Sequence, residues 1–336
     1  MFQEFEFQEF DKQNFDCLID ARSPREFKYS HISQAKNFYA LNDNEFEEIG
    51  ILYSKNQSLA KIKGASYICN NMAKHILELY KEFPLKSLIG IYCSRGGMRS
   101  KSVGIILSEL GYRVIRLKGG YKAYRACLND YFSKQLNFKL LALCGNTGSG
   151  KTELLELLPQ SINLEKLANH LGSAFGSILG DQPNQKFFET KLFENFKNIK
   201  NLAFIELESR RIGDIVLPLN LYEAMQNSFK IYCFCSLENR ILRIEKFYKT
   251  KITPLKFKKA VEKITPYIST NFRLDLLNSY NRGDLRRVIT MLLQYYDKVY
   301  KKPKNIDFVL NTDNIMQAKE NLLNLFNLKD SLNLKP

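Results

Sequence analysis

The stretch that most restricts the fold of this chain is "LNFKLLALCGNTGSGKTELL", residues 136–155, where an apolar run turns through a glycine loop straight into a helical pattern. Residues 145 to 152, GNTGSGKT, satisfy G-x-x-x-x-G-K-[ST] at every fixed position and lie between a predicted strand and a predicted helix, the context that gives this motif its meaning. Gly145, Gly148 and Gly150, with Asn146, Thr147 and Ser149 between them, let backbone N–H groups converge on phosphate oxygens. Lys151 supplies a point charge, and Thr152 can ligate a metal carried by the phosphates. Any diphosphate presents similar oxygens, so the loop does not specify ATP.

Two series of alternating apolar and helical segments contain this loop and a second one. The first runs from 15 to about 130, with "FDCLIDA" as a strand, "SPREF" as a helix start, "AKNFY" as a short strand and "ASYICNNMAKHILELYKEF" as a long helix. It continues with "KSLIGIYC" as a strand, "SKSVGIILSELG" as a helix closed by Gly111, and "RVIRLKGGYKAY" as strand, turn and helix. The second series begins at the glycine loop's own strand and proceeds through "NLAFIELES", "SFKIYCFCS" and "IDFVLNT", followed by a helix. Such alternation is the signature of parallel sheets covered by helices. With 336 residues, 45% of them hydrophobic, the chain is long enough for two buried cores. The expected division is 1–135 and 136–336, with the polar "NDYFSKQLN" at 129 to 137 as the seam. Residues 240 to 304 read as mostly helical, with Thr-Pro pairs at 253 and 265 starting new helices.

Charge points to a polyanionic partner. Fifty Lys+Arg against 35 Asp+Glu give +15, and residues 240–304 hold 17 basic and 5 acidic side chains, a net of +12. Phe247, Tyr248, Phe257, Tyr267, Phe272, Tyr280, Tyr295, Tyr296 and Tyr300 are interleaved with them, the mixture expected where phosphates are neutralised and unpaired bases stack. The competing reading is a set of solvated helix faces over an aromatic core. No apolar run approaches the roughly 18 to 20 residues of a membrane span, and the N-terminus is acidic and aromatic, so a cytoplasmic protein is expected. Seven cysteines form neither a disulfide framework nor a CxxC pair, Cys233 and Cys235 fall in an apolar strand, and only three histidines are present; no structural zinc site is expected.

The second loop is "IYCSRGGMRSKS", residues 91–102. Cys93 follows an apolar strand and precedes a helix, so loop N–H groups and the helix N-terminus form an anion cradle, lined by Gly96 and Gly97, to which Arg95 and Arg99 add charge. A thiolate in that setting is a nucleophile. Two chemistries use it: transfer of a sulfur-like atom through a persulfide, or hydrolysis of a phosphate ester through a phosphocysteine, since Cys93 and Arg99 also satisfy C-x5-R. An ATP- or GTP-dependent sulfurtransferase or kinase fusion and a cysteine phosphatase both remain open on spacing alone. In "FIELES", Glu206 or Glu208 is a candidate metal-side acid for the glycine loop, or an ordinary strand end.

Ordered motifs in both halves of the chain carry a resemblance. "IDARSPREF" at 19 to 27, "YCSRGGMRS" at 92 to 100 and "LKGGYKAYR" at 117 to 125 are similar to the opening pattern, active-site loop and final glycine turn of rhodanese domains. A rhodanese domain followed by a P-loop resembles the tRNA 2-selenouridine synthase family, and "INLEKLANHLGSAFG" at 162 to 176, "ELESRRIG" at 206 to 213 and "YYDKVY" at 295 to 300 are similar to further segments of that family. The fold this implies is α/β: an N-terminal rhodanese-like doubly wound parallel sheet, then a P-loop NTPase-like α/β domain with a basic helical insertion. Two departures stand out: no glycine precedes His31, and Leu171 follows His170 where the family has arginine.

The resemblance implies that the wobble 2-thiouridine of certain tRNAs receives a geranyl group from geranyl diphosphate and then exchanges S-geranyl for selenium from selenophosphate. Cys93 would take up selenium as a selenylsulfide-type intermediate, Arg95, Gly96, Gly97 and Arg99 would hold selenophosphate, and Gly145 to Thr152 would hold the diphosphate, with Mg2+ as an accompanying ion. Gly64, in "KIKGASY", lies near a family glycine linked to the geranyl step, and Ser173 and Arg210 are phosphate-contact candidates. The basic region would grip the tRNA anticodon arm, and contact with a selenophosphate-producing enzyme follows from the co-substrate.

Overall fold

In a computed structural model that describes residues 2–171, 180–300 and 302–331, the chain divides into two compact units, the first ending at Tyr131 and the second beginning at Phe132. The helix that closes the first unit runs on to Ser133, so the polar stretch expected as a linker is partly helical and the division falls before 135.

The first unit contains β1 (Gln3–Phe5), α1 (Phe7–Phe10), β2 (Cys17–Asp20), α2 (Pro24–Tyr29), β3 (Lys36–Asn37), α3 (Asp43–Lys55), α4 (Gln57–Glu82), β4 (Leu88–Tyr92), α5 (Met98–Glu109), β5 (Arg113–Leu117) and α6 (Gly120–Ser133). Its five strands pair in parallel in the order β1-β5-β4-β2-β3. Ile19, Ile89 and Ile91 from the sheet share a core with Ile68, Met72 and Leu79 of α4 and Val103 and Leu107 of α5. The long helix begins at Gln57, eight residues before the apolar pattern predicts, because Asn56 caps it by accepting from Leu59 N at 3.0 Å. The start of α2 follows its sequence: Ser23 caps it, Pro24 opens it, and Glu26 returns a bond to the Ser23 N–H, completing a capping box.

The second unit contains β6 (Lys139–Cys144), α7 (Lys151–Leu157), β7 (Ser161–Ile162), α8 (Leu164–Ala168), α9 (Gln185–Lys197), β8 (Leu202–Glu206), the hairpin β9 (Arg211–Ile212) and β10 (Ile215–Val216), α10 (Leu219–Gln226) and β11 (Phe229–Phe234). Then come α11 (Leu237–Lys251), α12 (Pro254–Ile264), α13 (Thr270–Asn281), α14 (Leu285–Val299), β12 (Phe308–Asn311) and α15 (Ile315–Ser331). The main sheet is parallel, in the order β12-β11-β6-β8-β7, and puts the glycine-loop strand β6 at its centre, between β11 and β8. In such a sheet the carboxyl ends of the central strands are where loops converge on ligands.

The basic region is helical, as its pattern predicts, but its interior differs from the stacking surface anticipated. Phe257 and Tyr296 are buried with Val261, Ile264, Leu276, Val288 and Leu292, and Phe272, Tyr280 and Tyr295 pack against this cluster. Burial of apolar rings thus stabilises the packing of α12, α13 and α14 on one another. Tyr267, 76% exposed, and Tyr300, 47% exposed, remain at the surface; the side chains of Phe247 and Tyr248 lie outside the described residues. The Thr-Pro pair at 253 starts α12 with a side-chain cap, whereas the pair at 265 forms one 3-10 turn and the next helix starts at Thr270. The Thr265 hydroxyl donates back to Val261 O at 2.9 Å, ending the preceding helix instead of capping a new one.

Candidate functional site

Each unit carries one loop that joins a parallel strand to a helix N-terminus. In the first, Cys93 directly follows β4 and is 2% exposed. Its Sγ accepts a hydrogen bond from Ser100 Oγ at 3.1 Å and lies 3.9 Å from Gly97 O. The first intrahelical donor of α5 is Lys101 N, on Gly97 O at 3.2 Å, so the N–H groups of Met98, Arg99 and Ser100 at the helix start have no intrahelical acceptor.

The loop is shaped from behind by the turn before α6. Tyr121 N donates to Cys93 O at 2.8 Å and Lys122 N to Ser94 O at 2.9 Å. Gly120, at φ +58°, fits so closely that a Cβ there would lie 2.2 Å from Cys93 O and 2.5 Å from Gly96 N. Gly96, at φ +64°, is similarly confined, with a Cβ position 3.0 Å from Gly119 N. Glycine is therefore required on both sides of this contact. Gly97, by contrast, has open space where a Cβ would go and serves as the residue before α5.

The two arginines of the loop have different environments. Arg95 is exposed, and its side chain has no hydrogen-bond or ion-pair partner among the described residues. Arg99 is half-buried, paired with Glu26 of α2 at 2.5 Å and placed over the Phe46 ring at 4.7 Å. Its charge is therefore shared with a carboxylate, a difference from the two free cations that spacing suggests. A third arginine not singled out by the motif, Arg116 at the end of β5, is buried and donates to Gly96 O at 2.6 Å and Gly97 O at 3.2 Å, while also pairing with Glu4. It ties two consecutive loop carbonyls to β5.

The second unit's loop has the geometry its motif demands. Gly145, Gly148 and Gly150 sit at φ +146°, +78° and +85°. A Cβ at Gly145 would lie 2.5 Å from Cys233 O, so β11 approaches too closely for any other residue. Lys151 Nζ donates to Gly145 O at 2.8 Å and reaches Asn146 O at 3.5 Å. Leu154 N, on Gly150 O at 2.9 Å, is the first intrahelical donor of α7, which leaves the N–H groups of Lys151 and Thr152 without an intrahelical acceptor. Ser149 is buried, with its carbonyl held by Thr312 Oγ1 at 2.8 Å. Asn146 donates to Asp297 Oδ1 at 3.0 Å, and Thr147 O accepts from Arg240 Nε at 2.8 Å.

An acidic cluster flanks Lys151 and Thr152. Glu206 ends β8, Glu208 follows two residues on, and Glu165 of α8 joins them so that one carboxylate oxygen from each lies within 4.8 Å of the others. Glu165 N donates to Glu206 Oε1 at 2.5 Å, and Thr152 Oγ1 lies 3.5 Å from Glu165 Oε2. Glu206 is fully buried, and its Oε2 has no hydrogen-bond partner among the described residues. Burial, with Glu208 adding to it and Lys151 opposing it, pushes the Glu165 carboxyl up to about 7. Burial likewise raises Glu206, with Glu165 as the second cause, and Glu208. Three crowded carboxylates with one unmatched buried oxygen suit a divalent cation with oxygen ligands. Sequence reasoning marked Glu206 and Glu208 but missed Glu165, although it lies in the segment 162–176 already noted for its family resemblance.

Of the remaining candidates, Gly64 is buried on α4, where a Cβ would meet Ile49 of α3 at an ordinary 3.8 Å, so a helix-packing contact accounts for its burial. Arg210 is exposed beside the hairpin, with its carbonyl accepting from Leu217 N at 2.9 Å. Ser173 lies outside the described residues. No described helix is long and apolar enough to cross a membrane.

Comparison with known proteins matches these two units to two families. Residues 138–279 match the tRNA 2-selenouridine synthase AAA domain, and residues 7–127 match the rhodanese-like domain. Among curated proteins, the chain is similar to tRNA 2-selenouridine synthases of Pseudomonas syringae pv. tomato, at 36% identity over 68% of this chain and 64% of that protein, and Alcanivorax borkumensis, at 35% over 67% and 64%. A third, from Marinobacter nauticus, is 35% identical over 69% of this chain and 65% of its own length. The match thus spans a little under two thirds of the length of these relatives.

Proposed function

Because the chain belongs to the tRNA 2-selenouridine synthase family, we propose that it converts 2-thiouridine at the tRNA wobble position to 2-selenouridine through an S-geranyl intermediate. The observation that carries this reading is the pairing, in one chain, of a buried cysteine at a helix N-terminus with a P-loop bordered by acidic side chains.

A thiocarbonyl sulfur is a poor leaving group, and alkylation makes it a better one. In the first step the 2-thio sulfur attacks C1 of geranyl diphosphate, the C–O bond breaks, and diphosphate departs while the uracil ring gives up its N3 proton. The P-loop N–H groups and Lys151 stabilise the charge that collects on the leaving diphosphate. Thr152, Glu165, Glu206 and Glu208 would hold a divalent cation, which supplies additional charge neutralisation at the phosphate oxygens. In the second step selenium replaces the S-geranyl group, so that one selenophosphate and one water yield the 2-selenouridine, geranylthiol and phosphate. Selenium stays at the selenide level as it passes from phosphorus to C2 and geranylthiol leaves, so no S–Se bond forms; Cys93 stands beside the transferred selenium, Ser100 holds its sulfur, and the N–H groups at the start of α5, with Arg95 beside them, receive the phosphate end of selenophosphate. The basic helices bind the anticodon arm chiefly through its phosphates, since most of their aromatic rings face inward.

The test is mass spectrometry of wobble nucleosides after incubation of the protein with 2-thiouridine tRNA, geranyl diphosphate and selenophosphate. Formation of S-geranyl-2-thiouridine without selenophosphate, and of 2-selenouridine with it, is expected. Absence of both nucleosides rejects the proposal.

A further inference from the structure

The segment "YYDKVY" at 295 to 300 has no part in the chemistry of either loop, yet its aspartate occupies a junction. Asp297, on α14, accepts Arg240 Nη2 on Oδ1 at 2.7 Å and Arg240 Nη1 on Oδ2 at 2.8 Å. Arg240, on α11, is 5% exposed, and its Nε donates to Thr147 O in the glycine loop at 2.8 Å. Asn146 Nδ2 donates to Asp297 Oδ1 at 3.0 Å, while Asn146 Oδ1 accepts the Tyr232 hydroxyl of β11 at 3.3 Å. Next in the loop, Gly148 packs so tightly on α11 that a Cβ would lie 2.9 Å from Ile244 Cδ1 and 3.2 Å from Arg240 O. Three consecutive loop residues are thus held by α11 and α14, two of them by bonds to Asp297 or to its partner Arg240.

A bidentate arginine–carboxylate pair fixes direction as well as distance. Here its third bond, from Nε, transmits that direction to the loop backbone. The helices concerned are part of the basic region, and they pack on each other through Ile241, Ile289 and Leu293. A diphosphate that attracts Lys151 Nζ takes it from the carbonyls of Gly145 and Asn146, and Asn146 is bonded to Asp297. Loop occupancy and helix placement therefore draw on the same contacts, the physical condition for coupling between two binding sites.

We propose that Asp297 is a positioning residue: it holds Asn146 and, through Arg240, Thr147 in the arrangement that presents the loop N–H groups to a diphosphate, and so couples diphosphate binding to RNA binding by the basic helices. The coupling rests on the function proposed above; the positioning requires only that the loop binds a diphosphate.

The test uses the full chain, with inorganic pyrophosphate and an anticodon stem-loop RNA titrated separately and together. Asp297→Asn keeps the side-chain shape and removes its charge, and Asn146→Ala removes the loop's partner while leaving the Arg240–Asp297 pair in place. Both variants are expected to weaken pyrophosphate binding about 10-fold while RNA affinity without pyrophosphate changes less than about 2-fold. In the unaltered chain pyrophosphate changes RNA affinity, RNA changes pyrophosphate affinity by the same factor, and in both variants that factor falls towards one. A parallel loss of both affinities together with melting temperature indicates a merely structural role and overturns the proposal, as does unchanged pyrophosphate affinity in Asn146→Ala. An RNA affinity indifferent to pyrophosphate in the unaltered chain overturns the coupling. Lys151→Ala separates the levels of failure. If it abolishes pyrophosphate binding while the Asp297 and Asn146 variants bind normally, the positioning role is wrong and the loop's function stands. If the unaltered chain binds no pyrophosphate, or binds it equally well in Lys151→Ala, the diphosphate reading falls and takes this proposal with it.

Discussion

Ser100 Oγ lies 3.1 Å from Cys93 Sγ, joining the first turn of α5 to the residue that directly follows β4. The hydroxyl is buried and is the one side-chain donor to this sulfur among the described residues. A hydrogen bond of this kind contributes about 0.5–1.5 kcal/mol. Ser100→Ala should therefore slow selenium incorporation by about 2- to 10-fold, with S-geranyl-2-thiouridine accumulating in the nucleoside digest, and Ser100→Thr should restore most of the rate. Equal rates for alanine and serine would remove the hydroxyl from the mechanism.

On the proposed function, Cys93 and Lys151 serve different half-reactions. Cys93→Ala should leave geranylation in place and block selenium incorporation, whereas Lys151→Ala should lower geranylation by about 100-fold, the scale of losing one charge-stabilising donor. Both are read by mass spectrometry of the wobble nucleoside. Loss of geranylation in Cys93→Ala would show that the labour is divided differently.

Gly120 tests the shape of the cysteine loop without touching its chemistry. An added methyl group would sit 2.2 Å from Cys93 O, at a backbone φ of +58° that favours glycine. Gly120→Ala should destabilise the first unit by about 2–4 kcal/mol, visible as a lower melting temperature, because both clash and strain must be relieved by moving the loop. Gly97→Ala, at a position with open space, should melt close to the unaltered protein.

The acidic cluster predicts a pH dependence with a definite sign. The folded Glu165 carboxyl is raised from 4.5 to about 7, so between these values the folded state holds more protons than the unfolded state. Stability then falls as pH rises through that window and stays lower above it. A divalent cation competes with the proton for the same oxygens, so added Mg2+ should raise the melting temperature more at pH 8 than at pH 5. Glu165→Gln should flatten both responses. A Mg2+ effect independent of pH and of Glu165 would count against the cation site.

The basic region separates binding from packing. Tyr267→Ala, at a residue 76% exposed, should leave melting unchanged and weaken binding of the anticodon stem-loop, since base stacking on an aromatic ring contributes about 1–3 kcal/mol. Phe257→Ala, at a residue 1% exposed and stacked on Tyr280 at 3.9 Å, should cost about 3–5 kcal/mol of stability. Salt titration should show a steep loss of RNA affinity, as phosphate-dominated binding requires.

Both loops were legible in the chain itself, because strand, glycines and helix start are consecutive and their geometry depends on near neighbours: Gly145 to Thr152 and Cys93 to Arg99 adopt the turns their residues permit. The parallel sheets were legible for the same reason, from the alternation of apolar and helical runs, and so was the basic helical region. What only the tertiary structure decided is which side chains meet across long separations. Glu165 reaches Glu206 over 41 positions, Arg99 gives its charge to Glu26 over 73, and Asp297 holds Asn146 over 151. No local pattern encodes such pairs, because parallel crossovers bring distant strand ends together and the order of strands in the sheet sets which loops become neighbours. The aromatic residues of the basic region obey the same rule: composition offered them to nucleic acid, and packing of the short helices turned most of them inward.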